Sequence, residues 1–175
     1  MDFLNDPIVL SILRLTHIFS GMIWLGLGVS GALIVHPVAK SLGEKGDEFM
    51  RRYYAYSIVN RVFPAAAILT TLAGLIMWPA RVDGMDFAGF GNTGDIVMIT
   101  GALFGLLAFG HGAAATGRFS DAYGKLAQAI EESDSPSDTQ LSELATLRAK
   151  VFIHSNISVV LTIIAAVAMS GARYL

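Results

Sequence analysis

Four long runs of apolar residues separated by polar loops dominate the chain, at residues 8–36, 62–78, 96–116 and 151–171. A helix needs about 20 mostly apolar residues to cross the hydrocarbon core of a bilayer, so each run predicts a membrane span, the second being the shortest. Pro37 directly follows His36 and predicts that the first helix stops there. Residues 43–60 mix Glu44, Asp47, Glu48, Arg51 and Arg52 with Phe49, Met50, Tyr53 and Tyr54. That mixture predicts a short amphipathic helix at the membrane interface, in the first cytoplasmic loop. Residues 133–137 (SDSPS) read as a linker, and Ser137 with Gln140 matches a capping box. Leu141, Leu144 and Leu147 extend an apolar stripe toward the last run, so one helix is expected over residues 138–171. The Gly-rich stretch 83–95 reads as a solvated loop whose aspartates are also able to meet a cation.

Composition agrees with the pattern: 54% of residues are hydrophobic, 15% are charged, and the mean hydropathy is +0.58. The expected fold is an all-α membrane protein, a single-domain four-helix up-and-down bundle. Residues 1–6 carry two aspartates and no basic residue, so the first run is expected to be retained as a span rather than cleaved as a signal peptide. Lys40, Lys45, Arg51, Arg52, Arg61, Arg118, Lys125, Arg148 and Lys150 fall on one side of such a bundle, against Arg14, Arg81 and Arg173 on the other. The positive-inside rule then puts the long loops in the cytoplasm and both termini outside, as in a bacterial inner membrane. The net charge of −2 adds nothing, and zero cysteines exclude disulfides and thiolate metal sites.

All four histidines, His17, His36, His111 and His154, lie inside the apolar runs or at their mouths. Imidazole is costly in hydrocarbon without a partner, which points to ligation or proton handling. At 100° per residue, Gly21, Trp24, Gly28, Gly31 and Val35 fall within about 40° of His17, so His17 heads a glycine-lined groove. Small residues at this spacing serve close helix packing, and they also leave room for a flat macrocycle beside an axial histidine. On the third run Thr100, Phe104, Leu107, His111, Ala115 and Arg118 share a face, beside Gly101, Gly105 and Ala108. Arg118 suits either a positive-inside anchor or a partner for a haem propionate. On the fourth run His154 heads a face with Ser158, Leu161, Ala165, Ala168 and Ala172.

Depth separates these histidines. His17 and His36 stand about 28 Å apart along one helix and cannot share a metal ion. His36, His111 and His154 belong to the cytoplasmic half, with His111 and His154 the expected pair and His36 a boundary residue. His17 stands alone in the outer half, where Met77, Met98, Met169, water or a substrate offers a second ligand.

His17 with Trp24 and its glycines, a first run ending LIVHP, the stretch RVFPAAAILTTLAGLIMW and the segment HGAAATGR together resemble the HemJ-type membrane protoporphyrinogen IX oxidases. The likeness covers most of the four-span layout at low identity, and the pattern also resembles the CopD-like copper-resistance domain and the membrane part of cytochrome-linked urate oxidases. The resemblance implies a b-type haem in the bundle, with His17 matching the family's first-span histidine. The family's third-span lysine falls near Thr100, and its acidic residue early in the last span is replaced by His154, Ser155 and Asn156.

Two functions follow. In the first, haem b held by His17, or by His111 with His154, relays electrons between a small reduced substrate, protoporphyrinogen in the HemJ-like version, and quinone or another membrane acceptor. In the second, CopD-like reading, His17, His36, His111, His154 and methionines handle copper without catalysis. A structural subunit with hydrogen-bonded histidines is the plainest account, and a homo-oligomer is compatible with all three. Phosphate loops, HExxH, nucleophile elbows and a basic patch fit for nucleic acid are absent.

Overall fold

The computed structural model describes residues 6–81, 92–133 and 135–175, and among them every regular element is helical. Five helices follow in chain order: α1 Pro7–Ser41, α2 Glu44–Tyr56, α3 Val59–Arg81, α4 Thr93–Glu131 and α5 Asp138–Gly171, which ends in a 3₁₀ turn at Ala172–Tyr174. Helices α1, α3, α4 and α5 are long and apolar enough to cross a bilayer, which suggests a multi-pass membrane protein. Their outward faces carry exposed Phe19, Met22, Leu33, Leu106 and Val167, a surface suited to lipid rather than water. Most of the acidic stretch after Pro79, including Asp83 and Asp86, lies outside the described residues; Asp95 sits in the first turn of α4.

The spans form two tightly packed pairs, α1 with α3 and α4 with α5, joined by contacts of α1 with α5 and α3 with α4. His17 meets Thr70 and Gly74 while Gly28 meets Phe63, so α1 and α3 run antiparallel. Gly94 meets Ala172, Gly101 meets Met169 and His111 meets His154, so α4 and α5 do too. Trp24, Ala66, Ala67 and Ala108 pack where the two pairs meet. Small residues at these seams let the backbones approach closely, as expected where lipid removes the hydrophobic drive between helices.

Two boundaries differ from the sequence expectation. The first helix does not stop at His36 but runs to Ser41, because residues Gly31–Val35 form a wide π-helical stretch just before Pro37. The His36 N–H reaches back to the Gly31 carbonyl, and Pro37 opens the next α-helical turn, where a missing N–H costs no bond. Helix α4, the third span, passes through a second π-helical stretch, Gly112–Gly117, and continues to Glu131. Helix α5, the fourth span, begins at the expected capping box of Ser137 and Gln140.

At 1.5 Å per residue the 39 residues of α4 extend about 58 Å, well beyond a bilayer core of roughly 30 Å. The surplus of α4 and α5 packs with α2 around Tyr123, Ala127, Ile130, Leu144 and Val151. Arg51 and Arg52 of α2 pair with Glu131, and Arg148 of α5 pairs with Asp47. Gly43, at φ +58°, turns the chain from α1 into α2 in a conformation that favours glycine.

Tyr54 of α2 stands edge-on to Tyr123, with ring centroids 4.9 Å apart. Burial pushes its phenol up to about 12, helped by Tyr53 and opposed by a hydrogen bond with Ser120. A raised value favours the neutral ring in the folded chain. Its stabilising contribution is therefore fully present below the unfolded value of 10 and is lost as pH rises through about 12. Tyr54→Phe is expected to remove that part of the alkaline loss, read as helical circular dichroism between pH 9 and 12.5 in detergent; an unchanged alkaline profile would count against it.

Candidate functional site

The central feature is a partly open cavity of about 440 Å³ between the four spans and α2, within the size range of small-molecule sites. Trp24, Gly28, Gly31 and Val35 of α1 form one wall, Phe63 and Ala67 of α3 a second, and Phe109, Gly112 and Thr116 of α4 a third. Ser158, Val159 and Thr162 of α5 complete it. Both π-helical stretches contribute to this lining, Gly31–Val35 and Gly112–Gly117. A Cβ at Gly31 or Gly112 would meet nothing within 4 Å, so these glycines leave space rather than close a seam.

A hydrogen-bonded chain runs from this wall into the α4–α5 seam. The Thr116 and Ser158 hydroxyls, both buried, lie 2.9 Å apart, and Ser158 Oγ is 2.9 Å from His111 Nδ1. His111 Nε2 is in turn 3.1 Å from His154 Nδ1. The α5 spacing explains part of this, because His154 and Ser158 stand one turn apart on the same face. A neutral imidazole donates through one nitrogen and accepts through the other. With Thr116 donating to Ser158 and Ser158 to His111, His111 donates through Nε2 to His154, whose Nε2 then holds its proton and has no hydrogen-bond partner among the described residues. Reversing every bond gives an equally complete chain. The His154 ring stacks on Phe119, with Lys150 over the other ring.

His17 is placed apart, as its depth predicts. Its Nδ1 donates to the Thr70 carbonyl at 2.7 Å, and its ring lies against Gly74, where a Cβ would come 3.0 Å from it. A carbonyl only accepts, so Nδ1 carries the proton and Nε2 presents a lone pair; this is the arrangement of a metal-ligating histidine. Thr70 also donates to Ser20, which donates to the Thr16 carbonyl.

The continuous groove expected below His17 is divided by neighbouring helices. Thr70 lies against Gly21, which is helix packing, while Trp24, Gly28 and Gly31 open onto the cavity. A macrocycle cannot lie flat along that face from His17 to Gly28. The same geometry bears on His111 and His154: trans ligands on one iron stand about 4 Å apart, twice a metal–nitrogen bond, whereas these nitrogens are hydrogen-bonded at 3.1 Å. No group of three or more His, Asp or Glu side chains suited to a metal ion occurs among the described residues.

His36 is 9% exposed and tilted against Phe152 of α5, and its Nδ1 has no hydrogen-bond partner among the described residues. Arg118 is exposed, 5.7 Å from the Phe119 ring, and is not part of the cavity wall. Thr100 is exposed and donates to the Ile96 carbonyl, so the position of the family lysine also faces away. Thr116, which sequence reasoning left out, was detectable as a hydroxyl one and a half turns beyond His111, between glycines. The chain matches no known family profile, no curated protein and no solved structure.

Proposed function

We propose that the chain is an integral membrane redox protein that binds a flat, mostly apolar acceptor of the quinone class in the bundle cavity and delivers protons to it. The observation that carries this reading is the hydrogen-bonded chain of Thr116, Ser158, His111 and His154, whose first two members line the cavity. Reduction of a quinone to a quinol consumes two electrons and two protons. The cavity lining is mostly apolar, so a hydrogen-bonded wire reaching its wall at Thr116 and Ser158 offers a route for those protons. Trp24, Phe63 and Phe109 offer aromatic faces to a flat ring, and Thr116 and Ser158 offer donors to its oxygens.

A b-type haem held by His17, seated elsewhere than along the divided groove of α1, would be the electron source in this reading. The donor chemistry fits, because the Thr70 carbonyl fixes the proton on Nδ1 and leaves Nε2 free. Bound there, haem would supply single-electron transfer from a small reduced substrate. Protoporphyrinogen, the substrate of the HemJ-type likeness, would have to react without an amine at position 100. The basic-residue bias supports an orientation with both termini outside in a bacterial inner membrane, and with it a position of α2, with Phe49 and Tyr56 exposed, at the cytoplasmic interface. No observation favours copper over haem.

Ser158→Ala tests the wire. Removing the hydroxyl breaks the link between Thr116 and His111 with little change in volume. Reoxidation of the reduced protein by a decyl-quinone is expected to slow about a hundredfold, with the absorption spectrum unchanged. Wild-type reoxidation in Ser158→Ala would sink the proton-delivery reading.

A further inference from the structure

A second, open cavity of about 540 Å³ lies between α1, α2, the end of α4 and the start of α5. Its apolar lining includes Met50, Leu144, Val151 and Phe152, and its cations are Lys40, Arg51 and Arg148. Two of these cations are already matched, Arg51 by Glu131 and Arg148 by Asp47, and Asp47 is the carboxylate in the wall. Lys40 forms no ion pair among the described residues. One turn before it on α1 is His36, whose buried Nδ1 lacks a partner. Residues four apart on a helix share a face, and His36 and Lys40 both line this cavity. A buried polar atom without a partner is costly, and an anionic oxygen beside Lys40 that reaches the ring would satisfy both groups. His36 and Tyr54 also line the central cavity, so the two spaces adjoin.

We infer that this cavity binds an amphipathic acid, its carboxylate or phosphate held by Lys40 and His36 and its apolar body lying against Met50, Leu144 and Phe152. The inference stands independently of the redox reading, since it concerns equilibrium binding. Calorimetry on the full chain in non-ionic detergent would compare dodecanoate, dodecyl phosphate, dodecanol and inorganic phosphate. At least one of the two acids is expected to bind about tenfold more tightly than the alcohol, and the tighter acid identifies the headgroup. In Lys40→Gln, an exposed substitution that breaks no ion pair among the described residues, the acid is expected to fall to the affinity of the alcohol. Equal binding of acids and alcohol, an unchanged acid affinity in Lys40→Gln, or inorganic phosphate binding as tightly as dodecyl phosphate would each overturn the proposal. Because no electron transfer is read, failure of the quinone reading leaves these outcomes interpretable.

Discussion

Gly46→Ala is expected to lower the stability of the folded chain by about 3 kcal/mol or more, at the upper end for overpacking. A Cβ on Gly46 would collide with the Ala39 carbonyl, which belongs to backbone and cannot rotate away. Helix α2 would have to lift from the end of α1. That movement strains the pairing of Arg51 with Glu131 and of Arg148 with Asp47, and it pulls Met50 and Tyr54 from their contacts. The loss should appear as a lower midpoint of unfolding in mixed detergent micelles. Gly31→Ala is the matched control, because a Cβ there meets nothing within 4 Å, and its midpoint should stay near wild type. Equal midpoints for the two variants would mean that α1 and α2 do not cross as described.

His17→Ala is expected to abolish the absorption of b-type haem in the purified protein, whereas His111→Ala and His154→Ala should retain it. The physical basis is the tautomer. The Thr70 carbonyl holds the proton on Nδ1 of His17, so its Nε2 lone pair is free, while His111 uses both of its nitrogens for hydrogen bonds. A Soret band that survives His17→Ala and disappears with His111→Ala would reverse the assignment. His17→Gln separates ligation from folding, since an amide can retain the bond to Thr70 without offering an imidazole.

The legible part of this architecture is the part written in periodicity. Apolar run length located all four spans, and the depth argument paired His111 with His154. The capping box at Ser137 and the stripe of Leu141, Leu144 and Leu147 disclosed the long last helix. What escaped depended on contacts between distant segments. The burial of His36 comes from Phe152, more than a hundred residues away, and Gly21 is covered by Thr70 from a different helix. The continuation of α4 to Glu131 was visible in principle, because Phe119, Tyr123, Ala127 and Ile130 form a stripe on an otherwise polar segment. The π-helical stretches have no comparable sequence signature. Gly31 with Pro37, and Gly112 with Gly117, mark their places only once the widened turns are known.

Those stretches link fold to function. They widen α1 and α4 where both face the cavity, and the second lies directly between His111 and Arg118, ending near Thr116. Widened turns of this kind often occur at functional sites. Here they create the space that the proposed acceptor would occupy beside its proton source.

The central claim is that the cavity between the spans holds a quinone-type molecule, and the chain carries a reporter for it in Trp24, which is 6% exposed and lines the cavity. The protein contains two tryptophans, Trp24 and Trp78, so Trp78→Phe isolates the reporter. The decisive measurement is the emission of Trp24 in that variant during titration with a decyl-quinone. Saturable quenching at one quinone per chain is expected, lost when Gly112→Leu fills the cavity. Quenching that rises in proportion to quinone without saturating, and that is equal in Gly112→Leu, would contradict that claim.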